Sequence, residues 1–94
     1  MELRFEWDPK KAAQNLKKHG VSFEEARTVF GDPLSSTIAD PSHSAPDEER
    51  FTTVGHSSQD RTLKVVHVDR GCVVRIVSAR LATRSEREAY EEGE

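Results

Sequence analysis

Between Arg61 and Arg84 the chain carries Arg61, Lys64, Arg70, Arg75, Arg80 and Arg84 against a single acid, Asp69. Arginine is the residue type here with the clearest chemical use. Its planar fork holds a phosphate through two parallel hydrogen bonds, and its fixed charge can stabilise a pentavalent phosphorus transition state. Breaking an RNA strand requires no further nucleophile, because the ribose 2′-OH attacks. The protein then has to orient the phosphate, remove one proton and neutralise charge. His19, His67 and Glu49 are the candidate bases; histidine titrates near working pH, whereas a glutamate needs its pKa raised. Residue types alone do not choose among the three.

Other chemistries find little support. Gly55-His56-Ser57-Ser58 is not a nucleophile elbow, and Cys72 falls inside a strand pattern. No pair among His19, His43, His56, His67 and the acids has the spacing of a known metal site, so no metal and no cofactor is expected. A phosphate-cradling glycine loop is missing too. With one cysteine, the chain forms no internal disulfide. Neither a secretory signal core nor a membrane-length apolar run occurs, and the expected location is the cytoplasm.

The net charge of −3 argues against a nucleic-acid binder when taken alone. Its distribution argues otherwise, since the basic stretch lies between acidic ones. Asp40, Asp47, Glu48, Glu49 and Asp60 precede it, and Glu86, Glu88, Glu91, Glu92 and Glu94 follow. At 94 residues the chain makes one domain, 1–94, with a thin core that suits stabilisation by a partner.

The elements that must position the arginines can be read from local pattern. Leu3 to Trp7 alternates as a half-buried strand does. Asp8-Pro9 opens a helix running to about Lys18, its expected inner face being Ala12, Ala13 and Leu16, and Gly20 closes it. Ser22 and Glu25 form a capping box for a second helix that turns Phe23, Ala26, Val29 and Phe30 inward. Phe5 and Trp7, like Phe23, read as core aromatics. Strands are expected over 34–39, 50–55, 62–68 and 73–79, with an acidic loop over 40–48 and a hairpin turn at Asp69-Arg70-Gly71. Thr83 and Glu86 box a final helix to about Glu92. The order β-α-α-β-β-β-β-α implies an α+β domain, a mainly antiparallel sheet with helices packed on one side. Strict alternation puts Arg75 with Val73 and Val77, opposite Val74, Ile76 and Ser78. It leaves Arg80, at the strand end, undirected. Arg84 stands in the first turn of the last helix, where a cation is unfavourable unless it meets an anion.

The run Phe5 to Ala26, containing Lys18-His19-Gly20-Val21, resembles the opening of BrnT-type toxins of type II toxin–antitoxin systems. Asp40-Pro41-Ser42-His43-Ser44, Glu49-Arg50-Phe51 and Ile76-Val77-Ser78-Ala79-Arg80-Leu81-Ala82-Thr83 match the same pattern in the same order. The resemblance implies a RelE-like fold and a metal-independent ribonuclease that inhibits translation by RNA cleavage. It implies as partners a BrnA-type ribbon-helix-helix antitoxin and an RNA substrate, which the ribosome could present, with DNA reached only through the antitoxin. It also implies Arg80, Arg75, His19 and Arg61 as catalytic residues and Lys18 and Arg50 as RNA contacts, and Arg84, read from its place in the helix's first turn, is a further expected RNA contact. The alternative is a catalytically inactive toxin-like subunit that binds the antitoxin as a co-repressor.

Overall fold

The computed structural model describes residues 3–40 and 48–93. Most of the expected acidic loop, together with His43, lies outside those residues. The element order is β1 (Arg4–Glu6), α1 (Pro9–His19), α2 (Phe23–Thr28), a 3₁₀ turn (Val29–Gly31), β2 (Ser36–Ala39), β3 (Arg50–His56), β4 (Thr62–Arg70), β5 (Val73–Leu81) and α3 (Arg84–Glu92). The five strands form one sheet in the order β1-β5-β4-β3-β2. β2 to β5 pair antiparallel, and β1 pairs parallel with Val73–Arg75 of β5. The result is an α+β domain with a mixed sheet.

The helix ends follow from their caps. Asp8 Oδ1 accepts the Lys10 N–H at 2.9 Å, and Pro9 stands where its missing N–H costs nothing. Gly20 closes α1 in the left-handed region at φ 70°, donating to Leu16 O at 2.8 Å. Thr83 and Glu86 complete both halves of the capping box at α3.

One face of the sheet carries α1, α2 and the core. Val21, Phe23, Ala26 and Val29 bury against Leu63, Val65, Ile76 and Ala79. Trp7 meets Phe23 edge-on at 5.9 Å between ring centroids, and Phe5 meets Phe30 at 5.2 Å. These aromatics are core residues. α3 departs from the expectation that all helices share one side. Its Tyr90 ring stacks on His56, whose register partner Thr62 belongs to the row opposite the core. α3 therefore covers part of the second face.

The expected inner face of α1 also needs correction. Ala13 and Leu16 are exposed, and the residue of α1 that is buried is Asn15. Its Nδ2 donates to Ala79 O at 2.8 Å and to Val21 O at 2.9 Å, while its Oδ1 accepts the Ala79 N–H at 3.1 Å. β1 is too short to pair with β5 beyond Arg75, and the Asn15 amide acts there as a one-residue strand. Apolar periodicity could not have found it, because the anchor is polar. Replacing Asn15 with leucine orphans three buried backbone groups. The expected loss is about 3 kcal/mol of unfolding free energy, read by urea denaturation at unchanged slope.

Candidate functional site

The second face of the sheet collects the cations. Residues directly opposite one another in a ladder point to the same side. One row joins Val54, Lys64 and Arg80 across β3, β4 and β5, and another joins Arg50, Val68 and Arg75. Between them lies the row Thr52, Val66 and Ser78. The two cationic rows stand four residues apart on β4, roughly 13 Å at the usual rise per residue.

Arg75 and Arg80 share this face because β5 is bulged. They are five positions apart, an odd step that simple alternation would send to opposite faces. Register shifts between Val66 and His67: Val66 faces Ser78, His67 faces Ile76, and Val77 is the extra residue. Strict alternation over 73–79 is thus overturned, and Ser78 joins the face of the arginines.

Arg50, Lys64, Arg70, Arg75 and Arg80 each meet a carboxylate. Arg80 grips Glu86 with both prongs of its fork, Nη1 to Oε1 and Nη2 to Oε2, each at 3.0 Å. Lys64 Nζ stands 3.6 Å from the same carboxylate. Arg75 pairs with Glu6 at 3.0 Å, and Glu48 lies near both Arg50, at 3.6 Å, and Arg70, at 3.7 Å. The Arg80 fork holds the Glu86 carboxyl at about 2, aided by the Thr83 N–H and the Lys64 charge and opposed by partial burial.

The remaining candidates lie elsewhere. Arg84 is exposed and pairs with Glu88 one turn on, at 3.1 Å, so a carboxylate of its own helix answers its unfavourable place in the first turn. Lys18 and His19 line a shallow polar groove with Lys11, Gln14, Asn15, Val77 and Ser78. That groove reaches the cationic face at Ser78, which stands between Arg75 and Arg80. Arg61 is held on the core side. Its Nε and Nη2 both donate to the Glu25 carboxylate, the first at 3.0 Å, and Nη2 also donates to Gly20 O at 3.1 Å. Glu25 is buried and takes a further hydrogen bond from Ser57 at 2.6 Å. The Arg61 hydrogen bonds pull its carboxyl below the usual range despite burial, and Ser57 assists.

Of the three candidate bases, His67 is enclosed. It lies 1% exposed between Phe30 and Phe51, with Asp69 on Nδ1 at 2.6 Å and the Thr53 hydroxyl on Nε2 at 2.7 Å. Thr37 extends the chain of hydroxyls at 2.6 Å. This is a satisfied polar centre within the core, out of reach of a substrate. Lys64 is the cation the sequence reading did not single out; the ladder brings it opposite Arg80. Among the described residues no group of His, Cys, Asp and Glu is placed to hold a metal ion. No helix of the described residues is long and apolar enough to cross a membrane.

Residues 7–86 match the family model described as the ribonuclease toxin BrnT of type II toxin–antitoxin systems. The chain belongs to the BrnT toxin family. Among solved structures, the fold resembles the crystal structure of the ribonuclease toxin BrnT of Brucella abortus. The match has a TM-score of 0.62 at 21% identity and covers 87% of this chain and 99% of that one. No curated protein sequence matches the chain significantly. The family match includes Arg50, Lys64, Arg70, Arg75 and Arg80, and its last residue is Glu86.

Two stability measurements follow. Arg61→Ala strands a buried carboxylate and is expected to cost about 3 kcal/mol in denaturant unfolding, while Glu25→Gln in the same protein recovers part of it. An unchanged midpoint for Arg61→Ala would show that the guanidinium is free for another role. Glu86 has a depressed pKa, so its stabilisation is fully present above about pH 4.5 and is lost as pH falls through about 2. Glu86→Gln is expected to flatten that acid limb by on the order of 2 kcal/mol, discounted for the partial exposure of the pair.

Proposed function

We propose that this chain is a RelE-like endoribonuclease toxin that cleaves RNA without a metal and thereby inhibits translation in the cytoplasm. The observation that carries the reading is the bulge at Val77, which sets Arg75 and Arg80 on one face with Lys64 and Arg50. In the reaction the ribose 2′-oxygen bonds to phosphorus and the P–O5′ bond breaks, leaving a 2′,3′-cyclic phosphate and a 5′-hydroxyl. Arg80 and Arg75 stabilise the charge of the pentavalent intermediate. His19, in the groove that opens at Ser78, takes the 2′-OH proton, and the departing O5′ takes a proton from solvent water. Arg50, Lys18 and Arg84 hold flanking phosphates by charge. Arg61 serves at one remove, by fixing Glu25 at the start of α2.

The antitoxin in this reading is a ribbon-helix-helix protein of the BrnA type. It covers the cationic face and carries the DNA-binding half of the complex. One observation favours the alternative of an inactive co-repressor subunit: Arg50, Arg70, Arg75 and Arg80 already meet carboxylates.

Induction of the chain alone in a bacterial host separates the two. The ribonuclease reading expects growth arrest with fragmented RNA. It expects Arg80→Ala, purified and folded, to lower the cleavage rate by about 10²–10³-fold while still binding the antitoxin. Normal growth from soluble, folded protein, or full toxicity of Arg80→Ala, would overturn it.

A further inference from the structure

We propose that Lys64 and Arg80 form a two-cation seat for an RNA phosphate, and that the Glu86 carboxylate fills this seat when no RNA is bound. The inference deepens the ribonuclease reading and rests on it for the identity of the ligand. A carboxylate and a phosphodiester present the same feature to a guanidinium, two oxygens spaced to meet a planar fork. Glu86 satisfies that geometry in full, one oxygen on each Arg80 Nη at 3.0 Å with Lys64 Nζ at 3.6 Å. The donors that would hold the two non-bridging oxygens of a phosphate are therefore already aimed, and a side chain of the same protein holds them. Two cations share one anion, so the site keeps a net positive charge. All three side chains are between a quarter and about a third exposed, within reach of an incoming strand.

Glu86 can leave the seat without unmaking its helix. Its Oε1 also accepts the Thr83 N–H at 2.9 Å in the capping box, a contact that does not need Arg80. α3 buries no residue of its own. Beyond Glu86 it is tied down by the Tyr90 hydroxyl on Asp32 at 2.5 Å and by the Tyr90–His56 stack. A cavity of about 210 Å³, lined by Ile38, Val54, Ala89 and Tyr90 among others, separates it from β2 and β3. Little apolar surface would be newly exposed if the first turn shifted. Glu6 meets Arg75 through one exposed contact and Glu48 stands 3.6 and 3.7 Å from two arginines, whereas Glu86 meets a complete fork with a lysine beside it.

The test uses the full chain and a short single-stranded oligoribonucleotide bearing 2′-O-methyl groups, which binds but cannot be cleaved. Affinity is read by fluorescence anisotropy across a salt series. Glu86→Gln keeps the capping box, since glutamine also serves at that position, and removes the competing charge. It is expected to bind about tenfold more tightly than the parent. Lys64→Met is expected to bind about tenfold more weakly and to lower the salt slope by about 0.7. Binding by Glu86→Gln that is unchanged or weaker overturns the proposal, as does a Lys64→Met salt slope equal to the parent's. Absence of binding in both parent and Glu86→Gln overturns it too. Cleavage of ordinary RNA is scored separately. Tighter binding by Glu86→Gln without cleavage by either protein keeps the seat and removes the ribonuclease. Cleavage abolished by Arg80→Ala with Glu86→Gln binding unaltered does the reverse.

Discussion

A single carboxamide joins the helical layer to the sheet. Asn15 gives both of its donors and its oxygen to backbone groups, two on Ala79 and one on Val21. In an interior of low dielectric, such a saturated polar contact is directional in a way that apolar packing is not. It sets the height of α1 along β5 and ties the end of α1 to the chain entering α2 at Val21. With α1 placed, Lys18 and His19 come beside Val77 and Ser78 rather than over the core. The Glu25–Arg61 pair secures the next joint, where α2 begins and Gly20 offers its carbonyl. A thin apolar core thus depends on two polar connections for its alignment.

The electrostatics of the second face explain how an acidic protein can present an arginine surface. Glu6, Glu48 and Glu86 come from three different elements or their approaches, and each meets cations that the ladder has brought together. The three carboxylates offset more than half of the positive charge of the five cations they meet in the isolated chain. Long-range steering of a polyanion by this face is correspondingly weakened.

Much of the fold could be read from the chain because its signals are local. Asp8-Pro9, Gly20, Ser22 and Thr83 with Glu86 act within a few residues, and each caps its helix, although Glu25 turns its carboxylate to Arg61 and Ser57 instead of completing the expected box with Ser22. The β-branched runs over 62–68 and 73–79 likewise mark strands, which extend to Arg70 and Leu81. What the chain concealed is non-local. Asn15 reads as a polar residue on a helix until its partner, 64 positions away, is known. Arg61 and Arg75 look alike in sequence, yet one anchors a buried carboxylate and the other lies on an open sheet face. Nothing in the types of Lys64, Arg80 and Glu86 announces that three elements converge on one point. The side of the sheet taken by α3 also depends on a chain reversal at Ala82 that periodicity does not describe.

The extra residue in β5 makes the site a matter of parity. Two side chains on one strand agree in direction when an even number of steps separates them, and Arg75 and Arg80 are separated by an odd one. The bulge supplies the missing step. Chain length between the two arginines therefore carries information that composition does not. Loss of a single position between Ile76 and Ala79 would leave both arginines present and a strand still hydrophobic enough to fold. It would also remove the need for the bulge, because the two arginines would then stand an even four steps apart and share a face by plain alternation. Substitutions within the segment are absorbed by packing, whereas loss of the bulge at unchanged length would put the two guanidinium groups on opposite sides of the sheet. For chains built on this plan, counting residues between the paired arginines is as informative as finding the arginines themselves.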